Sequence, residues 1–187
     1  MQQERDSSCH PKLNMWPLLK RGGSPCRYLA TVVIGVVGTA VAADPLVEDL
    51  AARLARTDPA TVNAHLSANW ESKMSRLGRL VRRCDPAAVR LSVSLLDTTN
   101  LEAYQGHVFA LELAMGKCLS NVLPVIPTGQ VRAVCAIDAY SEVHRGEDIV
   151  AEIDRRIRKI RSAPHLVASP NGQTCLEAYL EARSARQ

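Results

Sequence analysis

Few side chains in this sequence can do acid–base or ligand chemistry. From Asp44 onward they are the histidines His65, His107, His144 and His165 and the cysteines Cys84, Cys118, Cys135 and Cys175. No two of these histidines lie three or four residues apart, so a helix cannot present a pair of them to a metal. The cysteines are each at least 17 positions from the next, without the close pairs that zinc sites use, and neither a metal nor another cofactor is expected. Glu102, His107 and Glu112 are the candidates for general acid–base catalysis, because a carboxylate near an imidazole can relay a proton. Steps of five residues aim them in different directions around a helix, which makes a structural role for His107 the better expectation. No Gly-x-Ser-x-Gly elbow, phosphate loop or dinucleotide fingerprint occurs, and no enzyme class is favoured.

Charge offers two further candidates. Arg155, Arg156, Arg158, Lys159 and Arg161 crowd one stretch and form a candidate partner-binding face for an acidic protein or an anionic envelope surface. They equally fit a solvated helix side, with Glu147, Asp148, Glu152 and Asp154 as neighbours four residues away. Arg79, Arg82 and Arg83 form a smaller cluster open to the same two readings. Net charge is +4, but residues 1–43 carry five Lys/Arg against two Asp/Glu, leaving 18 against 17 beyond them. The long-range positive field expected of a nucleic-acid binder is absent.

The elements that must position these groups begin with an export segment. Lys20, Arg21 and Arg27 precede an uncharged apolar run from Tyr28 to Ala43 that ends in small residues, the pattern of a signal peptide. Cleavage is expected after Ala43, or one residue earlier; retention as an N-terminal anchor is the other possibility, and Met15 is an alternative start. No lipobox cysteine follows the run, and no stable membrane span is expected after cleavage. Residues 1–43 are thus an extension with its signal, and 44–187 a single domain, periplasmic or secreted. An even set of four cysteines in such a chain suggests two disulfides.

The domain is expected to be all-α, a compact bundle of about six or seven helices stapled by those disulfides. Apolar residues make up 47% of the chain and aromatics only 4%, with Phe109 the one phenylalanine; Leu, Val, Ile and Ala must build the core. A helix over 46–55 comes first. Asp58-Pro59 opens a long amphipathic helix running to Cys84, and Asp85-Pro86 opens the next. Thr99 and Glu102 form a capping box for a central helix through Val122, on which Ala103, Gly106, Ala110 and Ala114 make a stripe that lets another helix come close. Thr128 caps a helix through Tyr140 that stops near Gly146. Ile149, Ile153, Ile157 and Ile160 stripe the following helix; Pro164 to Gly172 is a loop, and Thr174 with Glu177 caps the last helix. If the helices on either side of residues 124–128 form an antiparallel hairpin, Cys118 faces Cys135, leaving Cys84 for Cys175; the other two connectivities remain open.

The order Gly106-His-Val-Phe-Ala-Leu, then Cys118, then Pro127-Thr-Gly-Gln-Val-Arg-Ala-Val-Cys135 and Tyr140 resembles the Rap/Tai-type immunity proteins of bacterial secretion systems over about a fifth of the chain. Cys135 and the long helix before Cys84 depart from that pattern. The resemblance implies a periplasmic protein that binds and blocks a toxic cell-wall enzyme, with no contact residue carried over. The expected function is therefore a non-enzymatic, exported protein acting on an unidentified protein partner in the cell envelope, as an inhibitor or immunity protein. The alternatives are a periplasmic hydrolase or lyase using His107 with a nearby carboxylate, and an envelope-surface module using Arg155–Arg161.

Overall fold

The computed structural model describes residues 43–144 and 148–186. The export segment before Ala43, the choice between Met1 and Met15, and the helix stop near Gly146 all lie outside the described residues. Within them there are helices and no strand: α1 (Pro45–Leu54), α2 (Pro59–Ser67), α3 (Ser75–Arg82), α4 (Pro86–Ser94), α5 (Leu101–Val122), α6 (Val131–Val134), α7 (Asp138–Val143), α8 (Ile149–Arg161), α9 (Pro164–Val167) and α10 (Pro170–Ser184). Seven of these described helices have eight or more residues, as the apolar periodicity implied.

One local device starts four of them. Asp44, Asp58, Asp85 and Ser169 each sit in extended backbone before a proline, and each side chain accepts a hydrogen bond from an N–H of the first turn. Proline fits there because its missing N–H would find no helical acceptor anyway. Each such cap contributes about 1 kcal/mol. The last of them lies where the sequence suggested a loop: α9 and the start of α10 occupy Pro164–Gly172, and Ser169, not Thr174, is the cap. Similarly, Asn100 and not Thr99 caps α5, by accepting from the Ala103 N–H, while Thr99 turns back to Asp97.

The long helix expected from Asp58-Pro59 to Cys84 is interrupted. Asn69 leaves helical geometry (φ −128°, ψ 39°), and its side-chain amide donates to the His65 carbonyl at 2.8 Å, a local bond that competes with the helical ladder. The chain resumes in one widened turn, Trp70–Met74, before α3. The helix expected from Thr128 through Tyr140 is also divided. Thr128 lies in a 3₁₀ turn and donates to Asn171 instead of capping, and buried Ile137 adopts left-handed backbone (φ 69°) between α6 and α7.

Helix α5 is central, touching α2, α3, α4, α6, α7 and α8. Residues Leu101–Val125 are long and apolar enough to cross a bilayer, yet half of the most apolar window is buried within the domain. The small-residue stripe does the work its spacing implied. Gly78 of α3 comes so near that a methyl on it would stand 3.7 Å from the Ala110 Cβ, and one on Gly106 would collide with Met74 and Trp70. The core these helices enclose is almost wholly aliphatic.

Two disulfides are present, so all four cysteines are used, but the pairing differs from the hairpin expectation. Cys84 bonds Cys118, and Cys135 bonds Cys175. The reason is packing: α3 lies along α5, bringing Cys84, two residues past its end, to α5, whereas α6 lies against α10. Helices α5 and α6 do not extend antiparallel from the 124–128 connection, because α6 has only four residues. Two disulfides fit an oxidising compartment of the extracellular type. Their loops span 34 and 40 residues, so each should contribute about 4 kcal/mol by restricting the unfolded chain, instead of one outweighing the other. Replacing either pair by alanines should lower urea-unfolding stability by similar amounts, and proteolysis without reduction should release peptides joined 84–118 and 135–175; a peptide joining 118 to 135 would overturn this pairing.

Candidate functional site

His107 projects from α5 into the core, 1% exposed. The Asn63 amide nitrogen donates to the Leu95 carbonyl at 3.0 Å, which turns its oxygen toward His107 Nε2, 3.1 Å away. Nε2 must then carry the hydrogen, leaving Nδ1 to accept from the Ser92 hydroxyl at 2.9 Å. Burial drives the imidazole pKa down to about 4, so the ring is neutral near pH 7 and every polar atom of the relay is matched. Although serine, histidine and asparagine adjoin one another, all three are buried, and no substrate reaches them. The arrangement ties α2, α4 and α5 together.

Glu112, one and a half turns further along α5, points elsewhere. Its two oxygens accept from the N–H groups of Ala139 and Tyr140, both at 2.9 Å, clamping the first turn of α7. Burial raises its pKa and these two bonds oppose the rise. Glu102 is exposed. The structure thus keeps the three catalytic candidates apart, and acid–base chemistry by His107 with either carboxylate draws no support from it.

The basic run of α8 divides between interior and surface, correcting its reading as one binding face. Arg156 is fully buried. Its Nε donates to Glu152 at 2.7 Å and a terminal nitrogen to the Tyr179 hydroxyl at 3.2 Å, and its guanidinium lies 5.4 Å from the Tyr140 ring centre and 5.7 Å from that of Tyr179. It cannot meet a partner. Arg155 is held by Glu152, and both Arg155 and Lys159 donate to the Gly116 carbonyl, at 2.8 and 2.9 Å. Only Arg158 and Arg161 are left on open surface.

What the fold leaves open is a groove of about 720 Å³ between the Trp70–Met74 turn with α3, the first half of α5, and the α6–α7 segment. Trp70, Met74, Val108 and Phe109 line it, and Glu102, Asp138 and Glu142 stand around it together with the cation Arg82. None of these three carboxylates has an ion-pair partner among the described residues. The Asn69 break creates one wall by turning Trp70 toward Gly106, and the Glu112 clamp holds the other. Apolar periodicity marked Trp70 and Met74 as core, and nothing in it distinguished them as a groove. The buried polar groups did leave a trace: on α8 Glu152 lies three residues from Ile149, and Arg156 three from Ile153 and four from Ile160, and Ser92 lies among buried Ala88, Leu91 and Leu95. Among the described residues no group of histidine, cysteine or carboxylate side chains is placed to hold a metal.

No family model, characterised protein or solved structure is detectably similar to this chain. The class it belongs to is defined by its own features: an all-α, doubly disulfide-linked domain whose aliphatic core holds two closed polar networks, with an open groove edged by carboxylates.

Two outcomes test the interior assignments. Folding keeps His107 from protonating, while the unfolded chain takes up that proton below pH 6.5. Stability should therefore fall as pH drops from 6.5 toward about 4, by up to roughly 3 kcal/mol from this group. His107→Gln should flatten that part of the urea-midpoint profile, and identical pH slopes in variant and parent would refute it. Arg156→Ala leaves Glu152 paired with Arg155 alone, removes the bond to the buried Tyr179 hydroxyl and opens a cavity, and should cost about 2–4 kcal/mol, against under about 0.5 kcal/mol for Arg158→Ala or Arg161→Ala.

Proposed function

We propose that this chain is exported, loses its signal at Ala43, and acts outside the cytoplasm as a non-enzymatic binding protein whose groove receives a segment of a cell-envelope protein. The observation that carries this reading is the groove itself. Aromatic side chains and methionine, which dominate binding energy where proteins meet, line it beside carboxylates without described partners. Charge complementarity specifies the occupant: an apolar side chain flanked by lysine or arginine. The two disulfides and the signal pattern before Asp44 support the compartment. Within this class, inhibition of a cell-wall enzyme, as an inhibitor or immunity protein, is the role that the likeness of residues 106–143 to Rap/Tai-type proteins favours.

A photo-crosslinking residue placed at Glu142 or Glu102 in living cells should yield one discrete adduct with an envelope protein, and the same residue at Glu48 on α1 should not. With the crosslinker at Glu142, Glu102→Lys should abolish the adduct, and with it at Glu102, Glu142→Lys should do so, each leaving thermal stability within about 0.5 kcal/mol, as usual for exposed sites. Equal labelling from Glu48, or no adduct from the groove, would overturn the assignment.

A further inference from the structure

Two basic clusters far apart in sequence meet in space. Arg79, Arg82 and Arg83, at the end of α3, converge with Lys117 of α5 and Arg155 of α8 around a pocket of about 370 Å³, completed by Leu113, Gly116, Tyr140 and His144. Among the described residues no carboxylate lines it. Among the described residues, Arg79, Arg82, Arg83 and Lys117 have no ion-pair partner. Three arginines and a lysine without a described ion-pair partner, gathered beside an Arg155 that Glu152 already pairs, repel one another, and such a concentration is relieved by a bound anion.

A second observation points the same way. One terminal nitrogen of Arg156 is buried and has no hydrogen-bond partner, although a buried donor is ordinarily matched. It lies behind the pocket wall beside Glu152: a methyl on Gly116 would stand 3.3 Å from Glu152 Oε1 and 3.4 Å from a terminal nitrogen of both Arg155 and Arg156. Glycine at this position brings the guanidinium groups up to the wall. Glu152 offsets one charge of the Arg155–Arg156 pair, so positive charge remains in excess there.

We infer that this pocket is a binding site for a diphosphate group, presented either as a small soluble molecule or as a lipid headgroup. Arginine forks match phosphate oxygens two at a time. A phosphate monoester carries a charge of about −1.5 to −2 near pH 7, well short of the charge assembled here, whereas two linked phosphates come closer to balancing it and give five cations enough oxygens to contact. The site is separate from the groove. Arg82 borders both, so the test leaves that residue alone.

Calorimetric titration of the purified full chain with inorganic pyrophosphate should show saturable binding that weakens as salt is added, with inorganic phosphate binding more weakly. The exposed triple variant Arg79→Gln/Arg83→Gln/Lys117→Gln should lose affinity by at least about tenfold, as expected when several charge-assisted contacts go. The control Arg90→Gln/Arg158→Gln/Arg161→Gln, which removes as much charge outside the pocket, should lose less than about twofold. Phosphatidylcholine vesicles with and without diacylglycerol diphosphate separate the sources: retention on the diphosphate vesicles identifies a headgroup site, and binding of pyrophosphate alone identifies a soluble ligand. Equal loss in both triple variants, or no saturable binding to either form, would overturn the inference.

Discussion

A single carboxylate in the middle of the central helix governs the half of the molecule that carries the groove and the basic pocket. Glu112 is buried, and it is stabilised there by the N–H groups of Ala139 and Tyr140. Those bonds fix where α7 begins. The residue before α7, Ile137, is β-branched and left-handed, a conformation that persists only when its surroundings over-determine it. Here they do: Cys135 is covalently tied to α10 on one side and Glu112 grips α7 on the other, while the Ile137 side chain is itself packed in the core. Asp138, Ala139 and Glu142 thereby become a wall of the groove, and Tyr140 is brought over Arg156. Both open sites inherit their shape from this clamp.

The rest of the interior has a complementary problem. A core of Leu, Val, Ile and Ala packs in many nearly equivalent ways, because aliphatic contacts carry little directional preference. Two buried polar networks remove that freedom. The Asn63–His107–Ser92 relay is satisfied in only one arrangement of α2, α4 and α5, and the Glu152–Arg156–Tyr179 group does the same for α8 and α10. Moving any of these helices by a turn leaves buried donors or charges without partners, which costs more than the hydrogen bonds contribute when formed.

Much of this architecture was legible in the sequence, for local reasons. The aspartate–proline caps, the apolar stripes and the small residues of α5 all act within a few residues of themselves, and they mark helix type and placement well. The breaks were harder to see. Asn69 and Ile137 interrupt stripes that continue in register on either side, so periodicity carries no sign of them. Disulfide pairing was not legible because it depends on which helices lie together, and the hairpin argument assumed a full helix where α6 makes scarcely one turn. Charge alone groups the basic residues of α8, although their positions relative to the isoleucines assign Arg156 to the interior. Convergence of Arg79, Arg82 and Arg83 with Lys117 and Arg155 needed the packing of α3, α5 and α8.

The order of the disulfides has a bearing on how the protein is made. Cys84 joins the next cysteine along, and Cys135 joins the next after it, so among these four residues the bridges are consecutive, neither nested nor crossed. A chain entering an oxidising space N-terminus first presents Cys84 and Cys118 before Cys135 has emerged, and Cys135 then has only Cys175 left to meet. An oxidant that joins cysteines in order of arrival produces the native linkages, with no need for an isomerase to reshuffle them. The first covalent loop encloses α4 and most of α5 before the groove-forming α7 has emerged, so the groove is completed last, on a scaffold already locked.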